Sequence, residues 1–163
     1  MKLLIIGGNG TIGKQVSAHF SKKHEIIIAG RHSGDVSVDI ADSKSINAML
    51  DTTGKIDAIL CIAGEAKWAA FDSMTEEDFY IGLRSKLMGQ VNLVRLGAAG
   101  MSDGGSFTLT SGVLSQHPVP GSASISLVNA GVEAFARAAA LELPRGIRIN
   151  VVSPPWVRET LEA

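Results

Sequence analysis

Six short apolar runs, most of them followed by a segment of helical length, leave this chain few folds to choose from. LLII (Leu3 to Ile6), EIIIAG (Glu25 to Gly30), DVSVDI (Asp35 to Ile40), DAILCIAG (Asp57 to Gly64), SFTLTS (Ser106 to Ser111) and GIRINVVS (Gly146 to Ser153) read as strands. Most are apolar at consecutive positions, which suits strands covered on both faces, as in a parallel sheet between helical layers. Helices are expected from about Ile12 to Lys22, Ser43 to Asp51, Thr75 to Ala98 and Ser124 to Leu143. Asp42 or Ser43 can cap the second of these, and Thr75 with Asp78 resembles a capping box at the start of the third.

With right-handed crossovers these elements predict an α/β fold. It is a Rossmann-type doubly wound parallel sheet in three α/β/α layers, with strand order 3-2-1-4-5-6. The 163 residues are read as one domain, 1–163, with no linker or internal repeat. Apolar residues make up 45% and charged residues 19%, with a net charge of −1, so no basic surface points to nucleic acid. The apolar runs are too short to cross a bilayer, and MKLLIIGG lacks the features of a signal peptide. The single cysteine, Cys61, excludes a disulfide framework and a cysteine-based zinc site. A cytoplasmic protein without metal is expected.

Ligands in such sheets bind beyond the carboxyl ends of the strands. The first of these turns is GGNGTIG, with Gly7, Gly10 and Gly13 in the spacing G-x-x-G-x-x-G and Asn9, Thr11 and Ile12 between them. Glycine there permits a tight turn, brings backbone N–H groups to a pyrophosphate and lets helix and strand pack closely. At the end of the second strand stands Arg31, with His32 and Ser33 beside it and no acid before Asp35. A guanidinium suits the 2′-phosphate of NADP, where an acid would suit the free ribose of NAD. NADP(H) is therefore expected in preference to NAD(H).

The glycine turn, VDI ending the third strand, IAG the fourth, TSG the fifth and NVVSPPWV the sixth occur in an order that resembles the short-chain dehydrogenase/reductase family. By that resemblance Asp39 meets the adenine amino group and Ile40 lines its pocket. Ala63 and Gly64 close the family's N-N-A-G motif, in which Cys61 and Ile62 replace the asparagines. Pro154 follows the sixth strand near the nicotinamide. The family transfers a hydride between nicotinamide and a carbonyl or alcohol, using an asparagine, a serine, and a tyrosine and lysine spaced Y-x-x-x-K. Ser111 matches the serine.

The remaining three positions depart from the family. NAGVEAF puts Asn129 at the lysine and Ile125 at the tyrosine, and a register shifted by one gives Val128 and Ser124. Lys86 stands in place of the asparagine, Pro155 replaces a glycine, and Tyr80 lies in the preceding helix. Lys86 or water is expected to complete proton transfer, with His117 and the hydroxyls of Ser124 and Ser126 as weaker candidates. The expected function is an NADP(H)-dependent oxidoreductase acting on a small carbonyl or alcohol, or alternatively a catalytically degenerate NADP(H)-binding sensor or scaffold. The helix of Ala130, Val132, Ala134, Phe135, Ala138 and Ala139 is apolar nearly all round. A second buried face and the resemblance both imply a homodimer or homotetramer. The sequence stops at RETLEA, before the lid and seventh strand the family resemblance leads one to expect.

Overall fold

A computed structural model of the chain describes residues 1–157; the RETLEA segment, from 158 onward, lies outside the described residues. Six parallel strands form one sheet in the order β3-β2-β1-β4-β5-β6. They are β1 (Lys2–Ile6), β2 (Glu25–Gly30), β3 (Val36–Ser37), β4 (Ile56–Cys61), β5 (Met101–Thr110) and β6 (Arg148–Val152). The helices are α1 (Thr11–Phe20), α2 (Ser43–Thr53), α3 (Glu76–Gly82), α4 (Gly89–Gly97) and α5 (Ala123–Ala139). The expected doubly wound architecture and strand order are those observed.

The central strands are apolar on both faces because both faces are covered. Leu4, Ile6, Ile59, Phe107 and Leu109 are buried with Leu93 of α4 and Val132 of α5. Asp42 caps α2 by accepting from the Lys44 N–H, and Thr75 with Asp78 forms the full capping box of α3.

Several boundaries differ from the sequence expectation, among them the end of α5 at Ala139 rather than Leu143 and of β4 at Cys61 rather than Gly64. The third strand keeps only two residues, because side chains take the neighbouring backbone groups. Asp35 accepts from the Ile28 N–H at 2.8 Å, Ser45 Oγ accepts from the Asp39 N–H, and Asp39 accepts from the Ala41 N–H. The fifth strand begins five residues earlier than expected, at Met101 rather than Ser106, across an irregularity in its pairing with β4. There Asp57 accepts from the Ser102 hydroxyl and the Lys2 N–H, at 2.6 and 2.7 Å. The long helix is not continuous: a π-helical turn, Leu83–Met88, separates α3 from α4. Such turns accompany functional sites often enough to direct attention to its residues.

Candidate cofactor and substrate site

The glycine turn is closed by contacts that admit no side chain. Gly7 has φ +81°, and a Cβ there would lie 2.6 Å from the Ile62 carbonyl oxygen. A Cβ on Gly13 would lie 2.0 Å from the Gly7 carbonyl oxygen, so α1 starts directly against the turn after β1. Gly10 caps α1 without a side-chain hydrogen bond. The first-turn N–H groups at Thr11, Ile12 and Gly13 therefore face outward with the positive end of the helix, the arrangement that holds phosphate. Asn9 Nδ2 donates to Ser33 Oγ at 3.1 Å, tying this turn to the loop after β2.

A cavity of about 260 Å³ crosses the carboxyl ends of β1, β2 and β4, and its lining includes Gly7, Arg31, Ile40, Ala63, Gly64 and Ser85. Arg31 does not stand alone there. Its guanidinium lies 2.9 Å from Glu65 Oε1 and 3.7 Å from Asp39 Oδ1, in an exposed cluster. The expectation of no acid close to Arg31 holds along the sequence but not in space, because the loop after β4 supplies Glu65.

A second cavity, of about 170 Å³, opens where β5 and β6 end. Lys86, Ser111, Ile125, Asn129, Pro154 and Trp156 all border it. Gly64, which lines the first cavity, has φ +135° and packs so closely on Lys86 of the second that a Cβ would meet the lysine Cα at 2.9 Å. Lys86 projects from the π-helical turn, and its Nζ donates to the Ser111 carbonyl at 3.2 Å. Burial pushes its pKa below the ordinary lysine value. Asn129 is 1% exposed, and its Oδ1 has no hydrogen-bond partner among the described residues. An uncapped helix start, a turn that only glycine fits and an unpaired buried amide oxygen at the far end all suit an extended polar dinucleotide.

A family model described as Enoyl-(Acyl carrier protein) reductase matches residues 12–163. The chain belongs to the short-chain dehydrogenase/reductase family. The Listeria innocua protein lin1944 superposes with a TM-score of 0.98 at 47% identity, over 99% of this chain and 81% of that one. A small-chain dehydrogenase solved in complex with NADPH superposes at 0.87 and 30% identity, over 94% of this chain and 69% of that one. The short-chain dehydrogenase/reductase ucsE from an Acremonium species is 36% identical over 107 residues, 64% of this chain and 40% of its own length. The chain spans half or less of the length of the first curated relatives it matches.

Against the family pattern, Ile125 and Asn129 border the second cavity, whereas Ser124 and Val128 are fully buried and do not. His117 is exposed on the loop after β5, and Tyr80 donates to Glu76 on the exposed side of α3. Cys61 is a buried strand residue whose thiol is pushed up to about 11 by burial. Among the described residues no cluster able to hold a metal is found, and no helix is long and apolar enough to cross a membrane.

Two residues of this site have no role in the sequence reading. Glu133 Oε1 accepts from the hydroxyls of Ser111 and Ser115, both at 2.6 Å, and from Ser153 at 3.5 Å. Burial alone would raise its pKa. The three hydroxyls and Arg137 outweigh that and hold it below the ordinary glutamate value. Gln90, fully buried, bonds both backbone groups of Thr110 at 2.9 and 3.0 Å and donates to the Lys86 carbonyl at 3.1 Å. It thus fixes the turn carrying Lys86 against the strand end carrying Ser111. The available signals were a glutamine and a glutamate among apolar helix residues, each one turn after a site position.

Proposed function

We propose that the protein is an NADP(H)-dependent oxidoreductase acting on a small alcohol or carbonyl compound. The observation that carries this reading is a cavity at the glycine turn and Arg31 that abuts, across the Gly64–Lys86 contact, a second cavity at Ser111. The dinucleotide would lie with its pyrophosphate on the N–H groups of Thr11, Ile12 and Gly13 and its adenine beside Asp39 and Ile40. The 2′-phosphate would meet Arg31 with Ser33 and Asn9, and Ala63 would line the groove. Asn129 and Pro154 would hold the nicotinamide end. Bound there, nicotinamide supplies or takes a hydride, while Ser111 holds the substrate oxygen and Lys86 steadies the charge developing on it.

A second reading, an NADP(H)-binding sensor or scaffold without turnover, is favoured by Ile125 and Asn129, which bring no proton donor of ordinary strength. Under either reading a second copy of the chain is the expected partner. It would dock on the apolar groove between α4 and α5, whose lining includes Val91, Ala98, Phe135 and Leu143.

Calorimetric titration of NADPH and NADH, with Arg31→Ala beside the parent, tests the cofactor half. NADPH binding that weakens about 10- to 150-fold on substitution, as loss of a charge-assisted bond predicts, supports the reading. Absence of binding by either nucleotide removes it.

A further inference from the structure

We propose that Glu133, acting through Ser111, is the proton acceptor of this site, and that the site is thereby set to receive an alcohol. The proposal rests on the nicotinamide-dependent reading above.

A serine hydroxyl has one proton to give. That of Ser111 has two acceptors within reach, Glu133 Oε1 at 2.6 Å and the Asn129 carbonyl at 3.2 Å. The shorter bond, to a carboxylate, takes it. What Ser111 then offers to the cavity is a lone pair. A carbonyl oxygen brings only lone pairs and finds no donor at Ser111. An alcohol hydroxyl donates to Ser111 Oγ and accepts from Lys86, whose ammonium has one bond among the described residues, to the Ser111 carbonyl, and two further protons. Both capacities of a hydroxyl are matched here, and only one capacity of a carbonyl.

The same geometry carries the proton. As the alcohol O–H bond breaks, its proton passes to Ser111 Oγ, and the proton already on Ser111 passes to Glu133 Oε1. The electron pair left on oxygen forms the C=O bond. The pair of the C–H bond leaves carbon as a hydride to an oxidised nicotinamide dinucleotide, the oxidant of the step. The carbonyl product has no hydroxyl left and loses its bond to Ser111. Ser115 and Ser153 keep Glu133 in the carboxylate form that accepts.

The test uses the full chain with Glu133→Gln, Ser111→Ala and the double variant. NADPH calorimetry comes first, with equal binding expected in all four proteins. A parent that fails to bind removes the underlying reading and the proposal with it, whereas binding followed by any of the failures below removes the proposal alone. In the absence of nucleotide, carbon-13 carboxyl titration, with Glu133 assigned through its Gln variant, is expected to show the Glu133 pKa rising in Ser111→Ala. No movement overturns the bond on which the relay depends.

NADP⁺-driven oxidation of a panel of small secondary alcohols supplies the kinetic arm. The parent is expected to turn over, and Glu133→Gln to lower kcat by about 10²- to 10⁴-fold with KM nearly unchanged. The double variant should be no slower than the slower single, since residues acting as a unit are not additive. A parent inert towards alcohols, a Gln variant with parental kcat, or losses that multiply in the double variant each overturn the proposal.

Discussion

Substituting Glu65 by Gln is expected to tighten NADPH binding, although Glu65 is an acid beside a cofactor pocket with no proposed part in catalysis. Arg31 and Glu65 lie 2.9 Å apart with side chains 42% and 59% exposed, so their pairing is a surface ion pair. Such pairs contribute about 0 to 1 kcal/mol, since water screens them and two long side chains lose freedom. An incoming 2′-phosphate must displace Glu65 or share the guanidinium with it. Glutamine keeps the shape and removes the competing charge, so the gain is bounded by the pair itself. That bound corresponds to NADPH binding tighter by at most roughly 5-fold.

NADH, which lacks the phosphate, should bind as before, and high salt should shrink the NADPH gain because the groups are exposed. The assay is calorimetry at low and high salt on the parent, Glu65→Gln, Arg31→Ala and the double variant. In the Arg31→Ala background the benefit of Glu65→Gln should vanish, since no cation remains to be freed. Weaker NADPH binding in Glu65→Gln, or an equal gain for NADH, would refute the argument that the acid competes with phosphate for Arg31.

Three further outcomes are expected. Gly13→Ala places a Cβ 2.0 Å from the Gly7 carbonyl oxygen and 2.8 Å from Gly8 backbone atoms, which cannot swing aside. A loss of about 3 kcal/mol, or roughly 6 to 12 °C in Tm, should appear in thermal unfolding; Gly100→Ala, with open space around its Cβ, is the control. Lys86→Met should abolish most turnover yet leave stability near neutral pH unchanged or higher, measured by urea unfolding. Because the folded-state pKa of Lys86 is depressed, the unfolded chain binds more protons between that value and 10.5. Parental stability therefore gains with pH across that window, and the Met variant should lack the gain. For Glu133 the depressed carboxylate pKa gives stability that is present above 4.5 and lost as pH falls below it. Glu133→Gln should flatten that acid limb in pH-dependent unfolding.

The parts of this fold that sequence revealed are those decided by local physics. Consecutive apolar residues in LLII and IIIA imply burial on both faces, and the six-stranded order follows from helical crossovers of one hand. The glycine turn was legible because Gly13 meets the Gly7 and Gly8 backbone within a few residues of itself and Gly7 takes a positive φ in the turn. The third strand misled because nothing in VSVDI signals that Ser45 and Asp35 would capture its backbone partners. The break at Leu83–Met88 was equally hidden, since LRSKLM has no proline or other helix-breaking residue.

The candidate site divides along the same line. Its cofactor half is largely backbone, made of glycine contacts and a bare helix start, and backbone demands are visible in residue type. Its substrate half is made of side chains meeting across distance. Glu133 is 22 residues from Ser111, and Gln90 is 20 from Thr110; only the packing of α5 and α4 against β5 brings each pair together. A serine at a strand end looks the same in sequence whether its proton points at substrate or at a carboxylate behind it. On the proposed reading that orientation determines whether the oxygen it meets is better a carbonyl or a hydroxyl, and it is set here by Glu133, which NAGVEAF contains but to which the resemblance gave no role. Resemblance picked out Ser111 at the strand end, and under the proposed relay the carboxylate beside it reverses the polarity that the resemblance implied.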